Sequence, residues 1–479
     1  MSFQKDYPQL KQVRDYVRRR KIGVYLVGGF LRDRLLARPG FDFDFAVEHS
    51  AVSLARGFAR RIKGAFVLLD DEHGCARVVK KKRTHIETYD FADFRGPDLL
   101  ADLKKRDFTI NTLVCKMNGL QNSQTWDEAV ADPLNGTRDI RRRTVRMVAS
   151  RAFREDPLRL LRAFSLRALL GFRIEARTLQ AITRQKDLIR EVSPERIREE
   201  LFKILATDRA AETLQAMDKA GLLRQVLPQI TGMVGVDQGP YHHLDIWRHS
   251  LETVRQLEKI VALFGDDPDC GPYLSEALGG ERTRLGLLKL GSLLHDVGKP
   301  QSLRRDKDRI YFYGHDRLGR QIVRQVALDL KLSNNERRIL QDMVLWHLRP
   351  GYLSNFKQPT RRALFRYFRD TADEAASIAL LSWADQRSTR GPLTGRSAQI
   401  HHEKICRGLI AEYFRRKKQK PFVRLINGHD LIRRLRLSPS PLFARILREV
   451  EEKQVTGRIK TKKEALDWAR KAAARFKSK

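Results

Sequence analysis

The sequence predicts an α+β chain in which a small mixed-sheet N-terminal domain is followed by an all-helical remainder. Up to about residue 145, short apolar runs at 24–27, 65–69, 77–79, 86–89 and 112–117 alternate with helical stretches. Beyond that point Leu158, Leu161, Leu169 and Leu170, then Ile197, Leu201, Ile204 and Leu205, recur at helical spacing. At 479 residues the chain allows about three domains, each with a real core. No internal repeat or low-complexity segment interrupts it. Breaks at Gly232 to Pro240 and Gly391 to Gly395, with the change of character near 145, divide it into 1–145, 146–235, 236–395 and 396–479.

The run 24–27 reads as a buried strand ending on Gly28 and Gly29, in Val27-Gly28-Gly29-Phe30-Leu31-Arg32-Asp33. Two glycines let backbone N–H groups approach a polyphosphate without Cβ obstruction, and a short helical turn follows. The next strand is Phe41-Asp42-Phe43-Asp44-Phe45. Its alternation sends Asp42 and Asp44 to one face and Phe41, Phe43 and Phe45 to the core. Two carboxylates on one face suit a pair of hard divalent ions and two-metal nucleotidyl or phosphoryl transfer. A third is offered by the strand 84–94, in Glu87, Asp90 or Asp93. Odd spacing places Glu87 and Asp90 on opposite faces.

In order and spacing these residues resemble the head of the class II nucleotidyltransferases, the bacterial tRNA CCA-adding enzymes and poly(A) polymerases of the DNA polymerase beta superfamily. Further blocks carry the resemblance. Lys105-Arg106-Asp107-Phe108-Thr109-Ile110-Asn111 is similar to the RRDFTIN block, which implies that Arg106, Asp107 and Asn111 place the ribose and triphosphate. Asp132 to Asp139 resembles the D-x-x-G-x-x-D hinge between head and neck. Glu155-Asp156-Pro157-Leu158-Arg159, with Arg162 a turn later, resembles the EDxxR block that reads the incoming base, and Pro194-Glu195-Arg196 with Glu200-Leu201 a later neck helix. The family's acidic residue ahead of an Arg-Gly makes Asp90, before Arg95-Gly96, the better third carboxylate. The resemblance further implies two Mg2+ ions on Asp42 and Asp44, and phosphates held by Gly28, Gly29 and Arg32.

Without the family, the same blocks have plainer readings. Arg106 and Asp107 are polar enough to require partners in a core, which a structural ion pair would supply. Asn111 caps a turn equally well. Pro157 suits the first turn of a helix and Asp156 its start, with Arg159 on the same face one turn on. There a carboxylate beside a guanidinium could hydrogen-bond a base edge, or simply form a surface ion pair.

A second constellation lies between the two breaks. His249, the doublet in Leu293-Leu294-His295-Asp296-Val297-Gly298-Lys299-Pro300, and Asp385 in Trp383-Ala384-Asp385 resemble the H…HD…D ligand set of the HD phosphohydrolases. His315 and His347 could add a second-metal shell. Imidazoles and carboxylates on packed helices suit a divalent metal, of unassigned identity, that activates water on a phosphoester. The other doublets are weaker, and His429-Asp430 reads as a loop and helix cap.

Charge points to the partner. The chain carries 94 Lys and Arg against 58 Asp and Glu, a formal net charge of +36, concentrated in 401–479 and 141–205. That favours RNA, with Arg415-Arg416-Lys417-Lys418 and Arg433-Arg434 as expected phosphate contacts. No apolar run approaches the ~20 residues of a membrane span, and the first twenty residues lack the apolar centre of a signal peptide. Cys75, Cys115, Cys270 and Cys406 are scattered without a C-x-x-C, so they read as reduced thiols of a cytoplasmic protein.

The expected domains are therefore a nucleotidyltransferase head (1–145), a neck and body for base selection and RNA binding (146–235), an HD domain (236–395) and a basic RNA-binding tail (396–479). The expected activity is template-independent addition of C, A or both, from CTP and ATP, to a tRNA 3′ end. One departure bears on the product. After the Asp42–Asp44 strand, Val47-Glu48-His49-Ser50-Ala51 runs straight into a helix, and His73-Gly74-Cys75 stands where a GxxxGT is usual. That is closer to partial enzymes adding only CC or only A, and leaves CCA, CC, A and poly(A) as open products. A poly(A) polymerase, an HD phosphohydrolase with a vestigial head, and a non-catalytic RNA-binding protein are the competing readings.

Overall fold

The computed structural model describes residues 7–38, 40–118, 126–306, 309–419 and 422–477, so the first six residues of the N-terminal stretch lie outside it. The chain forms two compact units, 1–209 with 215–226, and 210–214 with 227–479.

The first unit opens on a seven-stranded mixed sheet. Its strands are β1 Val24–Val27, β2 Asp42–Val47, β3 Ala65–Asp70, β4 Cys75–Lys81, β5 Ile86–Asp93, β6 Val114–Lys116 and β7 Val130–Ala131, in the spatial order β3-β4-β5-β2-β1-β6-β7. β2 and β5 are parallel, and the other neighbours antiparallel. One face is apolar because of the period of two. Phe43 and Phe45 from β2 stack on Tyr89 and Phe91 from β5, with ring centroids 5.2 and 4.9 Å apart. The helix Ala51–Ile62 covers that face with buried Leu54, Ala55, Phe58, Ala59 and Ile62. Each buried aromatic contributes about 1.5–3 kcal/mol, so a one-residue slip of β2, which would expose both phenylalanines, is strongly disfavoured. Asp42 and Asp44 are thereby held on the opposite face.

Phe41 departs from expectation. It lies just before β2, half-buried, stacked on His85 at 3.9 Å rather than in the core. β7 is also unforeseen, being only two residues long.

After the sheet come helices Leu158–Leu170 and Pro194–Leu205, which bury Leu160, Leu161, Phe164, Leu201, Ile204 and Leu205. Gly171, at φ +67°, closes the first of them. The remainder is not wholly helical. Short ribbons pair 144–145 with 173–174, 277–279 with 282–283, and 304–306 with 309–311. They are too short and too polar to show a period of two.

The second unit is built on helices Ile246–Ala262, Arg284–Leu294, His315–Asp329, Asn334–Trp346 and Ala375–Ser388. The last has apolar residues on all sides and is buried almost throughout. At the C-terminal end, helices Gly428–Leu435, Leu442–Val455 and Lys462–Lys477 enclose a small core of Leu431, Ile446, Val450, Ala465 and Ala469. Asn427 and Asp430 make a reciprocal capping box there, so the His429-Asp430 doublet is a helix start.

The basic run expected to meet phosphates is already engaged. Arg415 and Arg416 each pair with Glu412 at 2.7 Å, Lys417 with Asp373 at 2.5 Å, and Lys418 with Asp269 at 2.7 Å. Their carboxylates lie one turn away on the helix or in distant segments, which composition does not reveal.

Candidate active site

β1 ends at the cleft. Val27 is opposite Asp44 in the antiparallel register of β1 and β2, and Asp44 is level with Asp90 in the parallel register of β2 and β5. Gly28 has φ +81°, and a Cβ there would lie 2.6 Å from Asp44 Oδ2, so no side chain fits. The backbone that starts the helix Gly29–Leu35 thus runs directly over the carboxylate. A cleft of about 230 Å³ is lined by Gly28, Gly29, Asp44, Asp90, Arg95, Arg106, Asp107, Asn111, Asp156, Arg159 and Arg162, among others. Strands supply the acidic wall, and the loop before Val114 with the start of helix Leu158–Leu170 supplies the basic one.

Two expected residues sit elsewhere. Asp42 is exposed at the rim, where the Thr88 hydroxyl donates to it. Arg32 lies beneath the cleft, buried, donating to Asn111 Oδ1 at 2.6 Å and to Asp33 at 2.9 Å. Asn111 in turn donates to Asp107 Oδ1 at 3.0 Å, and Asp107 pairs with Arg162 at 3.1 Å. Arg32 therefore supports a relay that aims Asn111, Asp107 and Arg162.

Asp90 is gripped by Arg77 through two 2.7 Å bonds. The other acids of its strand have structural work: buried Glu87 accepts from Tyr89, and Asp93 accepts from Ala51 N–H at the start of a helix. The hinge block is structural too. Asp132 accepts from the N–H groups of Gly136 and Thr137, and Asp139 bonds Thr109 and Arg146.

Arg106 and Asp107 each have the structural ion pair their polarity calls for, whereas the Asp156–Arg159 pair read from the spacing does not form. Arg106 pairs with Asp102 at 3.1 Å rather than with Asp107. Asp156 pairs with Arg196 at 3.0 Å, while Arg159 donates to Ala152 O at 3.3 Å and lies 3.8 Å from Glu155. The chain bends between helices Ala152–Glu155 and Leu158–Leu170, so Asp156 is not on the helix that carries Arg159. Both still face the cleft. Arg95 also lines it, and was legible only as the flank of an Arg-Gly pair.

Burial pushes the Asp44 carboxyl above its ordinary range; Arg106 and Arg162 oppose this, while Asp90 and Asp42 add to it. Burial would also raise Asp107, but the Arg162 guanidinium and bonds from Asn111 and Phe108 N–H hold it low. Asp44 is thus only partly compensated.

The second unit gathers all six expected histidine and aspartate residues. His249, His295 and Asp385 form one close group, and Asp296, His315 and His347 another, each with ligand atoms within 4.8 Å; among the described residues these are the groups of this kind. The Asp42, Asp44 and Asp90 carboxylates do not converge so tightly. His249 Nε2 is 2.9 Å from Asp385, His295 Nε2 3.1 Å from Asp296, and His315 Nε2 3.4 Å from both Asp296 and His347 Nε2. His295, His315 and His347 each direct Nδ1 to the backbone carbonyl three residues earlier, at 2.9, 2.7 and 2.7 Å. Such bonds fix the tautomer that leaves Nε2 free as a ligand. His295 Nε2 and Asp296 Oδ2 are buried and face each other at 3.1 Å, with Lys299 Nζ 2.6 Å from the same oxygen, so imidazole nitrogens and carboxylate oxygens converge on one small volume. The donor set therefore fits a metal.

In the absence of an ion the buried carboxylates act directly on the imidazoles. Burial would lower His295, but Asp296 and Asp385 outweigh it and raise its pKa to about 10. Burial and the neighbouring His295 and His315 push His347 down to about 4. Lys299, 2.6 Å from Asp296 and 2.7 Å from Gln238, was named only as a flank of the doublet. His242, whose ring meets His249 edge-on at 4.9 Å, carries no local sequence signal.

Known proteins match along the chain. The poly A polymerase head domain matches 24–146, the probable RNA and SrmB-binding site of polymerase A 171–233, the HD domain 246–390, and a tRNA nucleotidyltransferase domain 418–469. An A-adding tRNA nucleotidyltransferase of Deinococcus radiodurans is 31% identical over 450 residues, covering 92% of this chain and 94% of that protein. A CC-adding tRNA nucleotidyltransferase of Thermus thermophilus is 30% identical, covering 92% and 91%. Among solved structures, a CCA-adding enzyme without ligand has TM-score 0.64 at 20% identity, covering 97% of this chain and 93% of that one. The Thermotoga maritima CCA-adding enzyme complexed with tRNA has TM-score 0.62 at 20% identity, covering 97% and 95%. The chain belongs to the tRNA nucleotidyltransferase and poly(A) polymerase family, with an HD domain within it.

Proposed function

We propose that this protein adds C, A or both, from CTP and ATP, to the 3′ end of tRNA. The observation that carries the reading is the seat of Gly28 on Asp44, which places a phosphate-accepting backbone turn beside an undercompensated carboxylate. Asp44, Asp90 and Asp42 would hold two Mg2+ ions. These would supply Lewis acidity, lowering the pKa of the RNA 3′-hydroxyl and neutralising charge on the triphosphate. The chain's own residues do the rest. Gly28 and Gly29 offer N–H donors to phosphate oxygens. Arg106 and Arg162 bring positive charge to the opposite wall. The Arg32–Asn111–Asp107 relay keeps Arg162 in place. Asp156 accepts and Arg159 donates at the position where a base edge would lie, so protein stands in for a template. Cysteines without disulfide partners suit a reducing, cytoplasmic setting.

The deciding experiment incubates purified protein with tRNAs ending before C, after CC and after CCA, supplying each labelled nucleotide in turn. Incorporation of only C, only A or both assigns the product. Equal extension of a short unstructured RNA would replace this reading with a poly(A) polymerase.

A second activity is favoured by the three imidazoles locked with Nε2 inward. His249, His295, Asp296, His315, His347 and Asp385 would hold one or two divalent ions, supplying an activated water for phosphoester hydrolysis. Metal-dependent turnover of a generic phosphodiester, lost when His295 and Asp296 are replaced, tests it.

A further inference from the structure

Arginines from four separate segments of the first unit meet on one surface. Arg142 and Arg143 end the turn after helix Gly136–Arg141, and Arg173 lies across the short parallel ribbon from Thr144. With Gly171 they line an open concavity of about 530 Å³. Arg209 closes it, its guanidinium carbon 3.0 Å from where a Gly171 Cβ would be. Arg38 reaches the same neighbourhood, donating to Leu169 O at 2.9 Å. Arg142, Arg143, Arg173 and Arg209 are all exposed.

Many arginines in this protein face a carboxylate, as Arg77 faces Asp90 and Arg146 faces Asp139. Here the balance is missing. Among the described residues no carboxylate pairs with Arg142, Arg143 or Arg173, and Arg209 has only the exposed Asp208 at 4.0 Å. Arg143 moreover holds φ +50°, a left-handed conformation that a non-glycine residue adopts at a cost. Like charges collected without counter-charges repel, and the fold gathers them from residues 38 to 209. The concavity has neither an aromatic wall for a base nor acidic ligands for a cation. Guanidiniums on an open surface suit the oxygens of backbone phosphates.

We propose that Arg142, Arg143, Arg173 and Arg209 form a clamp for the phosphodiester backbone of the RNA substrate, away from the nucleotide cleft; this rests on the tRNA-extending reading above. The clamp supplies affinity and register but no base specificity.

The test is the triple variant R142Q/R143N/R173Q, with Asn at 143 because it tolerates positive φ. Affinity for tRNA lacking its 3′ end is measured by anisotropy across a salt series, alongside incorporation kinetics and a thermal melt. Affinity should fall roughly tenfold, and the log–log salt slope should become shallower by about 2–3. The KM for CTP or ATP and kcat at saturating tRNA should not change. The Lys triple variant should restore most of the affinity. If the Gln/Asn variant melts early, R142Q and R173Q singly should each lower the slope by about 1. Unchanged tRNA affinity and slope, with wild-type incorporation intact, would overturn the clamp. So would a rise in nucleotide KM with no change for tRNA, or competition at this surface by inorganic phosphate without any effect on tRNA. Absence of wild-type incorporation, with the binding effects present, would instead overturn the proposed activity and leave the clamp standing.

Discussion

The cleft of the first unit and the pocket of the second both gather acidic or imidazole ligands, but they are prepared to opposite degrees. In the cleft, Asp42 is at the rim, Asp44 is inside and Asp90 is tied to Arg77, so the carboxylates stay apart. In the pocket, His249, His315 and Asp385 lie on helices and His295, Asp296 and His347 in the turns that end helices, and five of the six are almost entirely buried. An oxygen-only, incomplete set suits magnesium that arrives with substrate phosphates. A nearly closed set of imidazoles and carboxylates suits a resident transition metal. The difference is one of who completes the site: the substrate in the first case, the protein in the second.

The largest effect that could break this comparison is on nucleotide incorporation. Replacing Asp42 or Asp44 by Ala should remove several kcal/mol of charge stabilisation, about a thousandfold in rate, while tRNA binding persists. Near-normal incorporation by either variant would show that the cleft is not the centre.

Metal content sharpens the contrast. Protein purified without added metal and dialysed against a mild chelator should retain a transition metal by plasma mass spectrometry. H295A/D296A should lose it and keep nucleotide incorporation; D44A should keep it and lose incorporation. Equal loss from both variants would show that the two sites are coupled.

A smaller effect is expected at the base-facing residues. R159A should reduce discrimination among CTP, ATP, GTP and UTP by about ten- to a hundredfold, from the ~1–3 kcal/mol of a polar contact to a base edge. A variant that keeps its nucleotide preference and only melts earlier would make Arg159 a support for Ala152 and Glu155.

The smallest effect concerns stability without metal. Because burial raises the Asp44 pKa, the folded chain binds that proton more tightly than the unfolded chain does. Stability is therefore lost as pH rises from the ordinary carboxylate value through the raised one, and the full penalty is present at neutral pH. D44N should raise Tm at pH 7, and the gain should shrink as pH falls to about 3. A D44N protein that melts earlier at pH 7 would mean that Asp44 is compensated.

Much of the cleft was legible locally. Alternation in Phe41 to Phe45 set the face of both aspartates, and the glycine pair marked the turn that meets them. The histidines of the pocket were legible because the His295-Asp296 flanks are distinctive and because His249 and Asp385 complete the ligand order of the family they resemble. Phe41, one position outside the strand, shows the limit of that reasoning: the pattern includes it and Thr88 N–H still bonds its carbonyl, yet its ring stacks on His85 instead of entering the core.

By itself, then, the sequence determined which residues carry chemistry and which face of a strand or helix each occupies, because period and turn chemistry are short-range properties. Tertiary structure decided who meets whom. Registers bring Asp90 level with Asp44, and loop packing sends Arg32 beneath Asn111 rather than into the cleft. It assigns Asp156 to Arg196, engages Arg415 to Lys418 with three carboxylates, and leaves Arg142, Arg143 and Arg173 without counter-ions among the described residues. The reason is physical: an ion pair depends on a distance of a few ångströms between side chains, and for residues far apart in sequence that distance is set only when the whole chain has packed.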